Sequence, residues 1–173
     1  HQEATQLFKN RHSLAHVLLM AINKHYPKAL PTIGPVTETG FYYDVDFGSD
    51  KIGPDDLVVL EKEMREILSQ KLDFKVESVA ASKAKELFKD NKFKLEIIDG
   101  IKSTGQNVTL YHTGAEFFDL CEGPHVENTK DIPADSFKLD KVAGAYWRGD
   151  EKNPMLTRVY GLAFENKEAL NAY

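Results

Sequence analysis

Residues 107–120 read NVTLYHTGAEFFDL, two short runs rich in Val, Leu, Tyr and Phe that meet at a Thr-Gly break. Runs of this length and composition, bounded by turn residues, are strand signals. The same pattern returns at 137–147 (FKLDKVAGAYW) and at 155–163 (MLTRVYGLA), so everything beyond Gly105 reads as β-structure. Strands that follow one another across short turns pair antiparallel, and one antiparallel sheet is the economical arrangement. Upstream the periodicity changes. In 11–26 (RHSLAHVLLMAINKHY), Leu14, Val17, Leu18, Ala21 and Ile22 fall on one stripe of a helix that Pro27 ends. The Pro- and Gly-punctuated stretch 31–35 follows, then an alternating strand at 41–47 (FYYDVDF).

Gly53-Pro54-Asp55-Asp56 opens a second helix, with Pro at its first position and acids at the positive end of its dipole. Leu57, Leu60, Met64, Ile67 and Leu68 form its apolar stripe. A strand at 73–79 and a short helix capped by Ser82 and running to Phe88 give the middle of the chain an alternating rhythm. A small inserted α/β subdomain over 54–104 fits that rhythm. The fold class is therefore α+β: an antiparallel sheet packed with helices, including a long N-terminal one. The last segment, 165–173, is helical in pattern and stops without Gly, Pro or a charged tail, as a domain cut from a longer protein does. Residues 1–173 read as one domain.

With 42% hydrophobic and 28% charged residues, the chain has the composition of a folded domain. A net charge of -5 argues against a freestanding nucleic-acid binder, which gathers cations to meet phosphates. There is no apolar run of bilayer length and no signal-peptide order, which gives a cytoplasmic expectation and no membrane partner. The single Cys121 cannot form a disulfide within the chain.

His12 and His16 lie four apart on the first helix, and residues so spaced share a helix face, so both imidazoles can be directed at a single point. In 120–125 (LCEGPH), the Gly and Pro of a turn can fold Cys121 and His125 toward one side. Together the two pairs make a nitrogen and sulfur set suited to tetrahedral zinc. Asp119 precedes Cys121 by two residues, so both side chains leave one face of the strand. Of Tyr42 and Tyr43, alternation puts one inside and one outside without saying which. Lys94 sits beside Lys92 on an uncertain element. Trp147-Arg148 ends a strand with an aromatic and a guanidinium that suit either core and salt bridge or a nucleic-acid end. His1, His25 and His112 belong to no motif.

The segments RHSLAH at 11–16, IGPVTETGFYYDVD at 33–46, DLCEGPHV at 119–126, KVAGAYWRGD at 141–150 and RVYG at 158–161 together resemble the editing (second additional) domain of bacterial-type threonyl-tRNA synthetase. More distantly they resemble the editing modules of alanyl-tRNA synthetase. Five segments in order over nearly the whole chain make the resemblance specific. It implies hydrolysis of mischarged seryl-tRNA(Thr), in a pocket that admits serine and rejects threonine by its extra methyl. It places His12, His16, Cys121 and His125 at the centre, with Asp119, Tyr43 and Lys94 around them as catalytic and substrate-binding residues. Arg148 is a further candidate for the substrate. The partners implied are the tRNA(Thr) 3′ end carrying serine and the remaining synthetase domains in cis, and the source implied is bacterial or organellar.

The tetrad leaves the cofactor open. Zinc on His12, His16, Cys121 and His125 would polarise the ester or activate water, yet four protein ligands close a tetrahedral site. Without metal, His12 or His125 serves as general base and Lys94 or backbone N–H groups meet the oxyanion. Two other readings stand beside the hydrolase: a noncatalytic, tRNA-presenting module with a structural zinc site, and a freestanding trans-editing deacylase.

Overall fold

The computed structural model describes residues 5–173, so His1 lies outside it. Helix α1 spans Gln6–His25, with the Thr5 side chain accepting the Phe8 N–H as its cap. It begins five residues before the expected start at 11, because 6–10 is helical without carrying the apolar stripe. Downstream, Leu14, Val17, Leu18, Ala21 and Ile22 are all fully buried, as their spacing requires. Strand β1, Leu30–Pro31, leads by way of an edge segment to β2, Gly40–Asp46. Helix α2 covers Pro54–Ser69, and the Asp56 carboxylate accepts the Gly53 N–H at its entrance at 2.8 Å.

Next come β3 (Phe74–Val79), α3 (Ala81–Leu87) and α4 (Lys92–Lys102). The residue at the N-cap of α3 is Ala80, with no side-chain hydrogen bond, rather than Ser82. Ser82 lies inside the first turn. Strands β4 (Val108–Thr113), β5 (Phe117–Leu120), β6 (Phe137–Tyr146) and β7 (Met155–Ala163) follow, then α5 (Lys167–Ala172).

The strands beyond Gly105 do not share one sheet. They divide between a four-stranded antiparallel sheet in the order β1-β2-β7-β6 and a three-stranded one in the order β3-β4-β5. Local alternation is the same in both, and only long-range pairing decides membership. Helices α1 and α2 bury their stripes against the inner face of the larger sheet, where Phe41, Tyr43, Val45, Phe137, Leu139 and Val159 meet them in the main core. The smaller sheet has its own cluster of Val79, Ala84, Ile98, Val108 and Leu110, closed by α3 and α4. Thus α2 contributes to the large core, and β3, α3 and α4 to the small one.

Helix α4 faces both ways. Ile98 enters the small cluster, while Phe93 packs with Trp147 and Leu156 of the larger sheet's β6–β7 hairpin. The seam between the sheets is bounded by α4, the edge segment 32–35, β5 and α1. Among the described residues, no helix is long and apolar enough to cross a membrane.

Candidate active site

A cleft of about 340 Å³ opens in that seam, lined among others by His12, His16, Tyr43, Lys94, Asp119 and Cys121. They arrive on several different supports. His12 and His16 come from α1, Tyr43 from the inner face of β2, Asp119 from β5 and Lys94 from the first turn of α4. Cys121 and His125 flank a turn in which Gly123 adopts φ +78° and the Gly123–Pro124 bond is cis.

Three groups converge on the thiol. Cys121 Sγ lies 3.2 Å from His12 Nε2 and 3.0 Å from His125 Nε2, and the Gly123 N–H points to it at 3.3 Å. His12 Nδ1 faces the Pro124 carbonyl at 3.1 Å, and a carbonyl can only accept, so Nδ1 carries the proton and Nε2 keeps its lone pair. His125 Nδ1 faces the Ser13 hydroxyl at 3.1 Å, and the same oxygen accepts the Val126 N–H at 3.0 Å. A neutral chain follows without conflict. Ser13 O–H donates to His125 Nδ1, His125 Nε2–H to Sγ, the thiol to His12 Nε2, and His12 Nδ1–H to Pro124. Burial pushes the Cys121 thiol up to about 12, so a thiol rather than a thiolate is consistent with this chain.

The fourth member of the tetrad stands apart. The His125 ring packs against both of the others, stacked on His12 with centroids 4.3 Å apart and tilted by 42° against His16 at 4.4 Å. His16 is therefore turned away from Sγ, its Nε2 lying 3.8 Å from Asp119 Oδ2. Side chains four apart on a helix start 5–6 Å from each other at Cβ, which leaves room for a ring between them. Both His16 nitrogens are buried and have no hydrogen-bond partner among the described residues. Among the described residues, the one group of three His, Cys, Asp or Glu side chains whose ligand atoms all lie within 4.8 Å of one another is His12, Cys121 and His125.

These three fit zinc by donor type, and the Pro124 carbonyl and Ser13 hydroxyl behind the two imidazoles are the usual outer partners of metal-bound histidine. Ideal tetrahedral zinc would set nitrogen and sulfur about 3.6 Å apart, somewhat wider than the observed spacing. Three protein ligands with the fourth position open is the arrangement of a catalytic rather than a structural site.

Beside the triad lies a buried ion pair. Lys94 Nζ reaches Asp119 Oδ1 at 2.7 Å, and also donates to the Thr32 carbonyl at 2.7 Å and the Tyr43 hydroxyl at 3.0 Å. All three ammonium protons are thereby used. The Tyr43 hydroxyl donates to Asp119 Oδ2 at 2.6 Å, and the Leu120 N–H to Oδ1 at 2.8 Å. Burial alone would raise the Asp119 carboxyl, yet Lys94 and its other donors hold it below the usual carboxylate range. Burial, reinforced by Asp119, drives Tyr43 well up.

Tyr43 is thus the inward tyrosine, and Tyr42 faces out under Arg158. Lys94 rather than Lys92 is the buried lysine of α4. Arg148 does not line the cleft; it pairs with Glu96 at 3.1 Å, and Glu96 also accepts the Trp147 indole N–H at 2.8 Å. His25 joins Lys24 on Glu63 of α2, and His112 lies 3.8 Å from Glu77. Ser13 and Thr32 escaped the sequence reading. Ser13 had a faint signal, a serine on the buried side of an apolar helix, whereas Thr32 acts through a backbone carbonyl that no sequence pattern marks.

A Cβ at Gly34 would run into the Tyr43 ring, so Gly34→Ala is expected to push that ring off Asp119 and cost about 1–3 kcal/mol, read from urea unfolding. Unchanged stability would mean that the edge segment yields. Acid should act through His16, which burial lowers from 6.5 to about 4. Between those values the unfolded chain binds the proton and the folded one does not, so stability is full above 6.5 and falls with pH, by about 3 kcal/mol at pH 4. His125 is lowered by burial too and adds to the same trend. Unfolding free energies of wild type and His16→Phe between pH 7 and 4 test this, the variant being expected to lose less.

Comparison with known proteins gives the ancestry of this arrangement. Residues 108–160 match the family described as the threonyl and alanyl tRNA synthetase second additional domain. The threonine–tRNA ligase of Ureaplasma parvum serovar 3 is 49% identical over 167 residues, covering 95% of this chain and 28% of that protein. The chloroplastic/mitochondrial threonine–tRNA ligase 2 of Arabidopsis thaliana is 45% identical, covering 99% of this chain and 26% of that protein. The Thermotoga neapolitana threonine–tRNA ligase is 48% identical, covering 94% and 25% respectively. The chain spans about a quarter of the length of these curated relatives. With nearly every residue of the chain aligned to threonine–tRNA ligases, and with Asp119 and Cys121 inside the matched family segment, the chain belongs to the threonyl and alanyl tRNA synthetase second additional domain family, on its threonyl-tRNA synthetase side.

Proposed function

We propose that this cleft hydrolyses the ester of seryl-tRNA(Thr), releasing serine and tRNA(Thr) as the proofreading step of a cytoplasmic threonyl-tRNA synthetase, with the remaining synthetase domains acting in cis. One missing methyl is worth only about 1–3 kcal/mol to a synthetic pocket, too little for accurate charging, so a second site that takes the smaller amino acid is needed. The observation that carries the reading is the juxtaposition of a basic imidazole with an ionised, buried carboxylate in one cleft.

His12 is the base. It lines the cleft and is partly exposed, its Nδ1–H is held by Pro124, and burial keeps its pKa below the usual histidine value, so Nε2 is free of a proton at neutral pH. His125 has the same chemistry but sits behind the thiol and does not line the cleft. Water takes the place of the Cys121 thiol on the His12 Nε2 lone pair, gives that atom a proton and attacks the ester carbonyl carbon. The tetrahedral intermediate then expels the ribose oxygen, which recovers that proton. Asp119 Oδ2 and the unpartnered His16 offer acceptors for the α-ammonium of serine, relieving the cost of an unpaired buried nitrogen. Lys94 can meet the oxyanion only by releasing one of its three acceptors, of which the Tyr43 hydroxyl is the most distant. A bound zinc ion would be held by His12, Cys121 and His125 and would supply a Lewis acid beside the ester.

The test is deacylation of seryl- and threonyl-tRNA(Thr) by the chain, with and without chelator. Hydrolysis of the seryl ester alone is expected. Equal hydrolysis of both esters removes the sieve, and unfolding on chelation with hydrolysis of neither favours a tRNA-presenting module with a structural zinc site.

A further inference from the structure

The larger sheet has an outer face that the proposed chemistry leaves unused. Gly34 shares the inner side with Tyr43, so strand alternation places Pro35 outside, next to Tyr42, whose N–H bonds the Pro35 carbonyl at 3.2 Å. Across the sheet Tyr42 is paired with Tyr160, and Tyr160 with Lys141. One row of outward residues therefore starts at Pro35 in the cleft wall and runs across β2, β7 and β6. At about 4.8 Å per strand that row is roughly 14 Å long, room for about three or four stacked nucleotides at 3.4 Å each.

The row is built as a stacking surface. The Tyr42 and Tyr160 rings lie 5.6 Å apart. Arg158 stands over Tyr42, its guanidinium carbon 4.0 Å from the ring centre, locked in plane by two hydrogen bonds to buried Asp44 at 2.7 and 2.9 Å. Lys141 Nζ lies 5.1 Å from the Tyr160 ring centre and makes no ion pair among the described residues. Asp44 answers the charge of Arg158, which leaves the Lys141 ammonium as the free cation of the row. Aromatic and guanidinium planes with interleaved cations on an open sheet are how proteins hold single-stranded nucleic acid without reading its sequence. The net charge of -5 offers phosphates no general attraction, so a local cation matters more here.

We propose that the Tyr42–Arg158–Tyr160–Lys141 row holds the single-stranded nucleotides that precede the terminal one in an RNA 3′ end, while the terminal aminoacyl nucleotide enters the cleft. The inference rests on the deacylase reading for the identity of the RNA. The row would act in binding only, since it touches none of the groups in the cleft that do chemistry.

The experiment compares two esters on the full chain: seryl-adenosine, which reaches only the cleft, and an oligoribonucleotide ending in CCA that carries the same seryl ester. Wild type is expected to show a lower KM for the longer ester. Tyr160→Ala and Lys141→Glu should each raise that KM about fivefold or more, with kcat unchanged and seryl-adenosine hydrolysis untouched. Lys141 is exposed, so its variant keeps the fold even if Tyr160→Ala does not. A second arm titrates the unacylated CCA-ended oligoribonucleotide by fluorescence, and the same two substitutions should weaken binding by a similar factor. Equal KM for the two esters, or variants that match wild type on the longer one, overturns the row as an RNA site and leaves the face to a protein neighbour. Hydrolysis of neither ester by wild type would instead defeat the deacylase reading, and the titration then decides the row independently.

Discussion

Lys94→Ala is expected to destabilise the fold by about 3–5 kcal/mol in urea unfolding and to abolish deacylation. Lys94 and Asp119 are each only 2% exposed, so neither charge has water to fall back on once its partner is gone. Removing the ammonium leaves Asp119 with only the Tyr43 hydroxyl and Leu120 N–H, and strips Thr32 of its donor. The carboxyl then has burial acting on it with its main opponent missing, and its pKa should rise. That reverses the linkage. In wild type the depressed Asp119 contributes stability that is lost only as pH falls through its folded value, whereas in Lys94→Ala the variant should gain stability as acid neutralises the carboxyl. Lys94→Met with Asp119→Asn separates the charge from the packing. If the pair is as coupled as its geometry requires, the double variant is more stable than the sum of the single ones implies. A loss under about 1 kcal/mol for Lys94→Ala would show that water reaches the seam.

The ion pair also shows what could and could not be read in the chain. Asp119 was legible from its two-residue offset to Cys121, since period-two geometry fixes the face whatever the sheet. Lys94 was not, because the choice between it and Lys92 depends on how α4 is rotated. That rotation is set by Phe93 against Trp147 and Ile98 against the small sheet, contacts 54 and 10 or more residues away in sequence. The division into two sheets was hidden for a similar reason. The β2 strand finds its long partner in β7, more than a hundred residues on, and nothing in FYYDVDF names that partner. The first helix was legible because its stripe is local. Its entrance was not, because Phe8, 38% exposed, carries an apolar side chain to the surface. The His-x-x-x-His spacing put two imidazoles on one face of α1, but the single point on which both were expected to converge is not formed, because His16 turns to Asp119. Their division, one toward the thiol and one toward Asp119, depends on the His125 ring packed against both, which arrives from a turn more than a hundred residues downstream.

His12→Ala should leave stability within about 1 kcal/mol of wild type and reduce kcat for seryl-tRNA(Thr) by about 10²–10⁴-fold, the usual contribution of a positioned base. The ring is only partly buried and its polar partners, the Pro124 carbonyl and the Cys121 thiol, are weak or reach solvent, so little folding energy is tied to it. Cys121→Ser provides the contrast. A serine hydroxyl can replace the thiol between the two imidazoles as donor and acceptor, so without a metal the base keeps its partner and kcat should fall less than tenfold. If zinc on His12, Cys121 and His125 carried the reaction, loss of the thiolate ligand would cost as much as loss of the imidazole. The ratio of the two losses therefore discriminates between a histidine base and a metal centre. The pH profile supplies the second check. Because burial keeps His12 below the ordinary histidine pKa, kcat should be level across pH 7–9 and decline only on the acid side, below the usual histidine midpoint. A decline that begins above pH 7 would point away from a neutral buried imidazole as the group that takes the proton from water.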